Sequence, residues 1–183
     1  MSTYSTWPSD DFEVWESLQL FDFPPPDPTP VTPPIETGFP LTATLLGARK
    51  QHEPVSVDTA DGRTWRIRPR AVGKTWFSGV TTTPERGVIV VLSGIVECRV
   101  AGTPDVDAAP VDVSLSRAIS ATAQRTRTVR ITTTTGLREG VVTEIGTDYL
   151  RLTRRSLDGR DTRVMIPFSH LVAAEFLEPG DIS

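Results

Sequence analysis

From Leu41 to Leu177 the chain carries one pattern of apolar and polar positions, written twice. At a shift of 74 residues Leu41 and Leu45 fall on Leu115 and Ile119, and Val55-Ser56-Val57 falls on Val129-Arg130-Ile131. Thr59 and Gly62 fall on Thr133 and Gly136. After a one-residue deletion, Val72-Gly73-Lys74-Thr75-Trp76-Phe77 matches Ile145-Gly146-Thr147-Asp148-Tyr149-Leu150. After a three-residue insertion, the stretch from Val88 to Val96 matches Val164 to Val172. The shift changes only where turns are expected, so the ordered matches mark an internal duplication.

Each copy reads as a short helix followed by about five strands. In the second copy Ser114 is a good N-cap, with Leu115, Ala118 and Ile119 on one face. Val129, Ile131 and Thr133 alternate with polar residues, the period of a half-buried strand. Gly136 marks a hairpin, Val141 and Ile145 carry a second strand, and Gly146-Thr147-Asp148 is the next turn. Tyr149 to Leu152 makes a third strand, with a loop tip at Leu157-Asp158-Gly159-Arg160. Val164 to Ile166 is a fourth, Pro167 to His170 a tight turn, and Leu171 to Phe176 the last strand. The expected core is Val57, Ile67, Phe77, Val90 and Ile95 in one copy, and Ile131, Val141, Leu150, Ile166 and Leu171 in the other.

Five short bent strands avoid bare edges by curling on themselves. The expected fold is therefore mainly β: two tandem small barrels over 41–101 and 114–177, joined by a linker at 102–113 and ending in a short tail at 178–183. The pattern resembles the SH3-like and Sm-like barrels, which also begin with a short helix. Gly140 to Leu152 is similar to the first Sm signature. The Sm RNA pocket uses an asparagine in the strand-three turn and a late arginine–glycine pair. Here those places read Asp148-Tyr149 and Pro167-Phe168-Ser169-His170, so the resemblance does not carry Sm-type RNA recognition. The chain also resembles a group of actinobacterial proteins with a Val/Ile-Gly-x-Asp-aromatic stretch and a Val/Ile-Pro-x-x-x-Leu/Val ending, here Ile145 to Tyr149 and Ile166 to Leu171. Some of those proteins are loosely described as transcriptional regulators.

Residues 1–40 follow different rules. Prolines crowd positions 24–34, where they remove backbone donors and fix φ, so an extended linker is expected. Upstream, Phe12, Trp15, Leu18 and Phe21 recur at near-helical spacing within an acidic stretch, and such a stripe suits a linear docking segment. This tail holds seven acids and no lysine or arginine, whereas residues 124–163 hold nine arginines against five acids. The net charge of −4 hides that contrast.

Met1 to Asp10 has no basic patch followed by an apolar stretch, so no secretory signal is expected, and Cys98 alone excludes a disulfide framework. A cytoplasmic setting without membrane attachment fits. Catalysis has little to work with: His52 and His170 are the available neutral-pH bases, and the counterpart of His170 is Gly94. One cysteine and two distant histidines make no tetrahedral metal set, and no phosphate-cradling loop joins a strand to a helix. No cofactor is expected. Arg125, Arg127, Arg151, Arg154 and Arg155 are candidates for binding an anion or nucleic acid, against pairing with neighbouring acids on a solvated sheet face. Trp76 and Tyr149 share a repeat position and read as packing residues, while Trp65 aligns with Glu139 and reads as an exposed contact. The chain is therefore expected to be a non-enzymatic binding or adaptor protein. It would hold another protein through its tail or barrel surface, the alternative being a nucleic-acid-binding regulator that uses the second copy's arginines.

Overall fold

The computed structural model describes residues 38–155 and 160–178, so the tail positions Phe12, Trp15, Leu18 and Phe21 lie outside it. Both expected helices form. Helix α1, Leu41–Lys50, starts after Pro40, whose carbonyl accepts from Ala43 N. Helix α2, Leu115–Ala123, starts at Ser114, whose Oγ accepts from Arg117 N at 3.3 Å, an N-cap that supplies one of the helix's missing acceptors.

The first copy continues with β1 (Val55–Thr59), β2 (Thr64–Val72), β3 (Trp76–Thr81), β4 (Gly87–Val91), a 3₁₀ turn (Leu92–Gly94) and β5 (Ile95–Arg99). The second continues with β6 (Thr128–Thr133), β7 (Gly136–Ile145), β8 (Tyr149–Arg155), β9 (Asp161–Pro167), a 3₁₀ turn (Phe168–His170) and β10 (Leu171–Phe176). The strand order is β5-β1-β2-β3-β4-β10-β6-β7-β8-β9, antiparallel throughout. Each half thus repeats the order last-first-second-third-fourth. The irregularities repeat as well: the break between Pro69 and Ala71 recurs between Val142 and Glu144, and that between Asp58 and Thr59 recurs opposite Leu171 and Ala173. Gly73 and Gly146 occupy the same turn, each donating its N–H to the carbonyl of Trp76 or Tyr149 at 2.8 and 2.9 Å. In both, the aromatic ring lies where a glycine Cβ would stand, so only glycine fits.

The expected pair of closed barrels does not form. The halves share one open ten-stranded sheet, because β4 pairs with β10 of the other half. Those two strands are buried on both faces: Val88, Val90 and Ala173 join the first core, and Ile89, Val91, Ala174 and Phe176 join the second. The first core also holds Leu45, Leu46, Val55, Val57, Trp65, Ile67 and Phe77; the second holds Trp76, Ile119, Val129, Ile131, Leu150, Leu152 and Ile166. Gly94 lets the halves approach, since a Cβ there would sit 3.0 Å from Val172 Cγ1.

Three expectations need correction. Trp65 is not an exposed contact but 5% exposed in the first core. The one-residue deletion falls in the first hairpin, where Val57 pairs with Trp65 and Ile131 with Arg138, so the true counterpart of Trp65 is Arg138 and its ring faces inward. Val141 is 41% exposed and Val142 is buried in its place, because side chains alternate along β7 up to the bulge after Val142. Ile95 is only half-buried, lying on an edge strand of the sheet. Among the described residues no helix is long and apolar enough to cross a membrane.

Leu150→Ala and Ile166→Ala should each lower unfolding stability by about 2–5 kcal/mol. Val141→Ala should stay within about 0.5 kcal/mol of the parent. Urea unfolding of the three variants checks this; equal losses at Val141 and Leu150 would contradict the register of β7.

Candidate functional site

The junction of the halves carries an unusual side chain. Strand β10 is apolar except for Glu175, which is buried with both neighbours turned into the second core. A buried carboxylate requires partners. One comes from each half: Glu175 Oε1 accepts from Arg86 Nη1 and Oε2 from Arg130 Nη1, both at 3.2 Å. Arg86 precedes β4 and Arg130 lies in β6, so their guanidiniums flank the central strands. Arg130 Nε also donates to Glu139 Oε1 at 2.5 Å across the β6–β7 pair.

These groups floor a hollow of about 430 Å³, lined further by Arg63, Thr64, Trp65, Arg66, Thr81, Thr82, Thr83 and Pro84. Arg63 follows the β1–β2 turn. Its guanidinium lies 4.4 Å over the Trp65 ring, and Nη1 stands 3.5 Å from Thr132 Oγ1 in the other half. The stack fixes a planar cation at the rim. Trp65 Nε1 donates to Thr59 Oγ1 at 3.1 Å, which holds the ring beneath it. Arg66 is exposed on β2 and its carbonyl accepts from Thr82 N, which ties the β3–β4 hairpin to the same rim. Neither Arg63 nor Arg66 forms an ion pair among the described residues. Four guanidiniums therefore line the hollow with one carboxylate, whose two oxygens are each taken by an arginine. The arrangement offers charge-assisted donors to an anionic group and lets threonine hydroxyls complete its shell.

The arginines singled out in the second copy are arranged differently. Arg125 and Arg127 are exposed just after α2, and Arg127 lines a shallow hollow of about 260 Å³ with Gln124, Thr143 and Glu144. Arg151 is ion-paired with that same Glu144. Glu144 also accepts from the Tyr149 hydroxyl, and this bond raises the phenol's pKa. Arg154 is exposed on β8, and Arg155 is the last residue of that strand. Glu144 thus engages Arg151 and shares the hollow of Arg127. His52 and His170 are exposed at separate places, the first after α1 and the second in the turn before β10. Cys98 is half-buried against the first core, and burial pushes its thiol pKa up, away from reactivity at neutral pH. Among the described residues no cluster of three or more histidines, cysteines or acids is placed to hold a metal ion.

The arginines of the hollow escape a reading that follows local arginine density, because three of the four come from the first copy. The signal for them is Glu175, a lone acid in the apolar strand Leu-Val-Ala-Ala-Glu-Phe, which cannot be buried without cations brought from elsewhere.

Comparison with known proteins gives no match, whether to a protein-family model, a curated protein or a solved structure.

Glu175→Ala should cost about 3 kcal/mol, the lower end for a broken buried pair, since Arg86 and Arg130 reach solvent. Chemical denaturation measures this. A loss below about 0.5 kcal/mol would mean that the two arginines do not depend on Glu175.

Proposed function

We propose that this protein is a non-enzymatic binding or adaptor protein, and that the arginine-lined hollow holds an anionic group of its partner. The observation that carries this reading is the convergence of Arg63, Arg66, Arg86 and Arg130 around a cavity whose single carboxylate is already engaged at both oxygens. A carboxylate held in that way is a poor general base, and the other lining groups are donors suited to recognition. The acidic, aromatic tail supplies a second contact in this proposal: Phe12, Trp15, Leu18 and Phe21 dock as a linear segment on the partner. The matching strand orders of the two halves support reading each as an SH3-like or Sm-like unit opened out to share one sheet.

The test is recovery of partners from native cells with the full chain, a chain lacking residues 1–23, and an Arg63→Ala/Arg66→Ala variant. Each change should reduce recovery of the same partner about tenfold or more, as expected for loss of a charge-assisted contact or a hydrophobic anchor. Undiminished recovery with both would overturn the proposal. If the recovered partner is instead nucleic acid, binding should weaken steeply with salt and respond to Arg125→Ala/Arg127→Ala.

A further inference from the structure

We propose that the protein associates head to tail with further copies of itself, β9 of one chain pairing with β5 of the next. The template is inside the molecule. At the internal junction β4, the fourth strand of the first half, pairs antiparallel with β10, the last strand of the second. The same two kinds of strand lie at the sheet's ends: β5 is the last strand of the first half, and β9 is the fourth of the second. One molecule therefore presents both partners of a contact it already makes once.

The registers give the intermolecular pairs. Val57 opposes Cys98 where Ile131 opposes Ala174, and Phe77 opposes Val90 where Leu150 opposes Ile166. Carried through the internal pairs Ala174–Ile89, Ala173–Val90 and Glu175–Val88, the new ones are Cys98–Met165, Glu97–Ile166 and Arg99–Val164. Exposed apolar side chains stand on each edge, Val96 on β5 and Met165 on β9. Val96 is 73% exposed and Met165 54%, whereas their counterparts Val172 and Ile89 are each 1% exposed at the internal junction. The cores differ in the same sense. The second is completed by Trp76, Ile89 and Val91 from the first half. Among the described residues the first receives no such cover at β5, where Ile95, Cys98 and Val100 are only partly buried. Tyr149, Met165 and Pro167 occupy the corresponding places on β8 and β9, and in a second copy they would supply it.

Several positions depart from the template. Arg99 stands for Glu175, so the ion pairs to Arg86 and Arg130 are not repeated at the new contact, and Pro167 stands for Val91 with no N–H to offer. Two further departures meet at one corner. His170 stands for Gly94, and Glu97 stands for Ala173. A Cβ at Gly94 would lie 3.0 Å from Val172, so an incoming strand must ride slightly farther from His170. The imidazole would then stand beside Val96 and Glu97, the latter ion-paired with Arg99 at 3.2 Å within its own strand. The contact is heterologous, so repetition gives a ring if the rotation closes and an open chain if it does not.

Val96→Arg and Met165→Arg each block one edge at an exposed site, so their melting temperatures should match the parent's. The mass of the full-length parent, followed by sedimentation, should rise with concentration past the dimer. Either variant alone should remain monomeric, and an equimolar mixture should stop at a dimer, because only one good junction can form. A parent that is monomeric at every concentration overturns the proposal; so does either variant assembling like the parent, or a mixture that stays monomeric.

Discussion

The pairing of β4 with β10 is the contact on which the rest of the structure depends. Apart, the two halves would present four strand edges, the fourth and last strand of each. Joining one from each half removes a pair of edges and makes those strands interior. Interior strands buried on both faces must be apolar throughout, and Val88 to Val91 and Leu171 to Ala174 are. The same pairing assigns the faces: alternate side chains of β4 and β10 pass to opposite sides, so one pair of strands walls two cores.

Glu175 is the exception that gives this junction a chemical identity. A carboxylate buried in a shared strand has to be matched by cations from both halves, and Arg86 and Arg130 meet it there. Replacing such a triad by apolar residues is often neutral or stabilising, so its value is better sought in register and recognition than in stability. It holds the halves in one alignment, and it draws guanidiniums to a place where Arg63 and Arg66 add charge with no ion pair of their own among the described residues.

The duplication was legible because periodicity and turn glycines leave a direct trace. Gly73 with Trp76 and Gly146 with Tyr149 show the same turn in both copies, each with a ring over the glycine. The helices were legible for the same reason, Ser114 being a cap in sequence and in space. What failed was long-range or dependent on a single residue. Nothing local in Val88 to Val91 names β10 as the neighbour, although an unbroken apolar run is the mark of a strand covered on both sides. Trp65 was misplaced because the deletion between the copies lies in the first hairpin, and one residue of slip turns a side chain to the other face. Val141 failed through the position of the bulge. The hollow was invisible because its members are far apart in sequence and meet only after the junction forms.

The two cores are not equal debtors to that junction. The first takes Ala173 from the other half, while the second takes Trp76, Ile89 and Val91. The half with fewer needs is also the half a ribosome releases first. It can collapse around Phe77 and Leu46 while the remainder is still being made, and β4 then waits as a template. Residues 102–113 are already anchored to it, since Asp105 N donates to Ala43 O and Val111 N to Val72 O. The last strand synthesised, β10, is the one that covers the template. Until it arrives, an apolar strand edge stands open, and any delay late in translation prolongs the interval in which a neighbouring nascent chain can pair there instead.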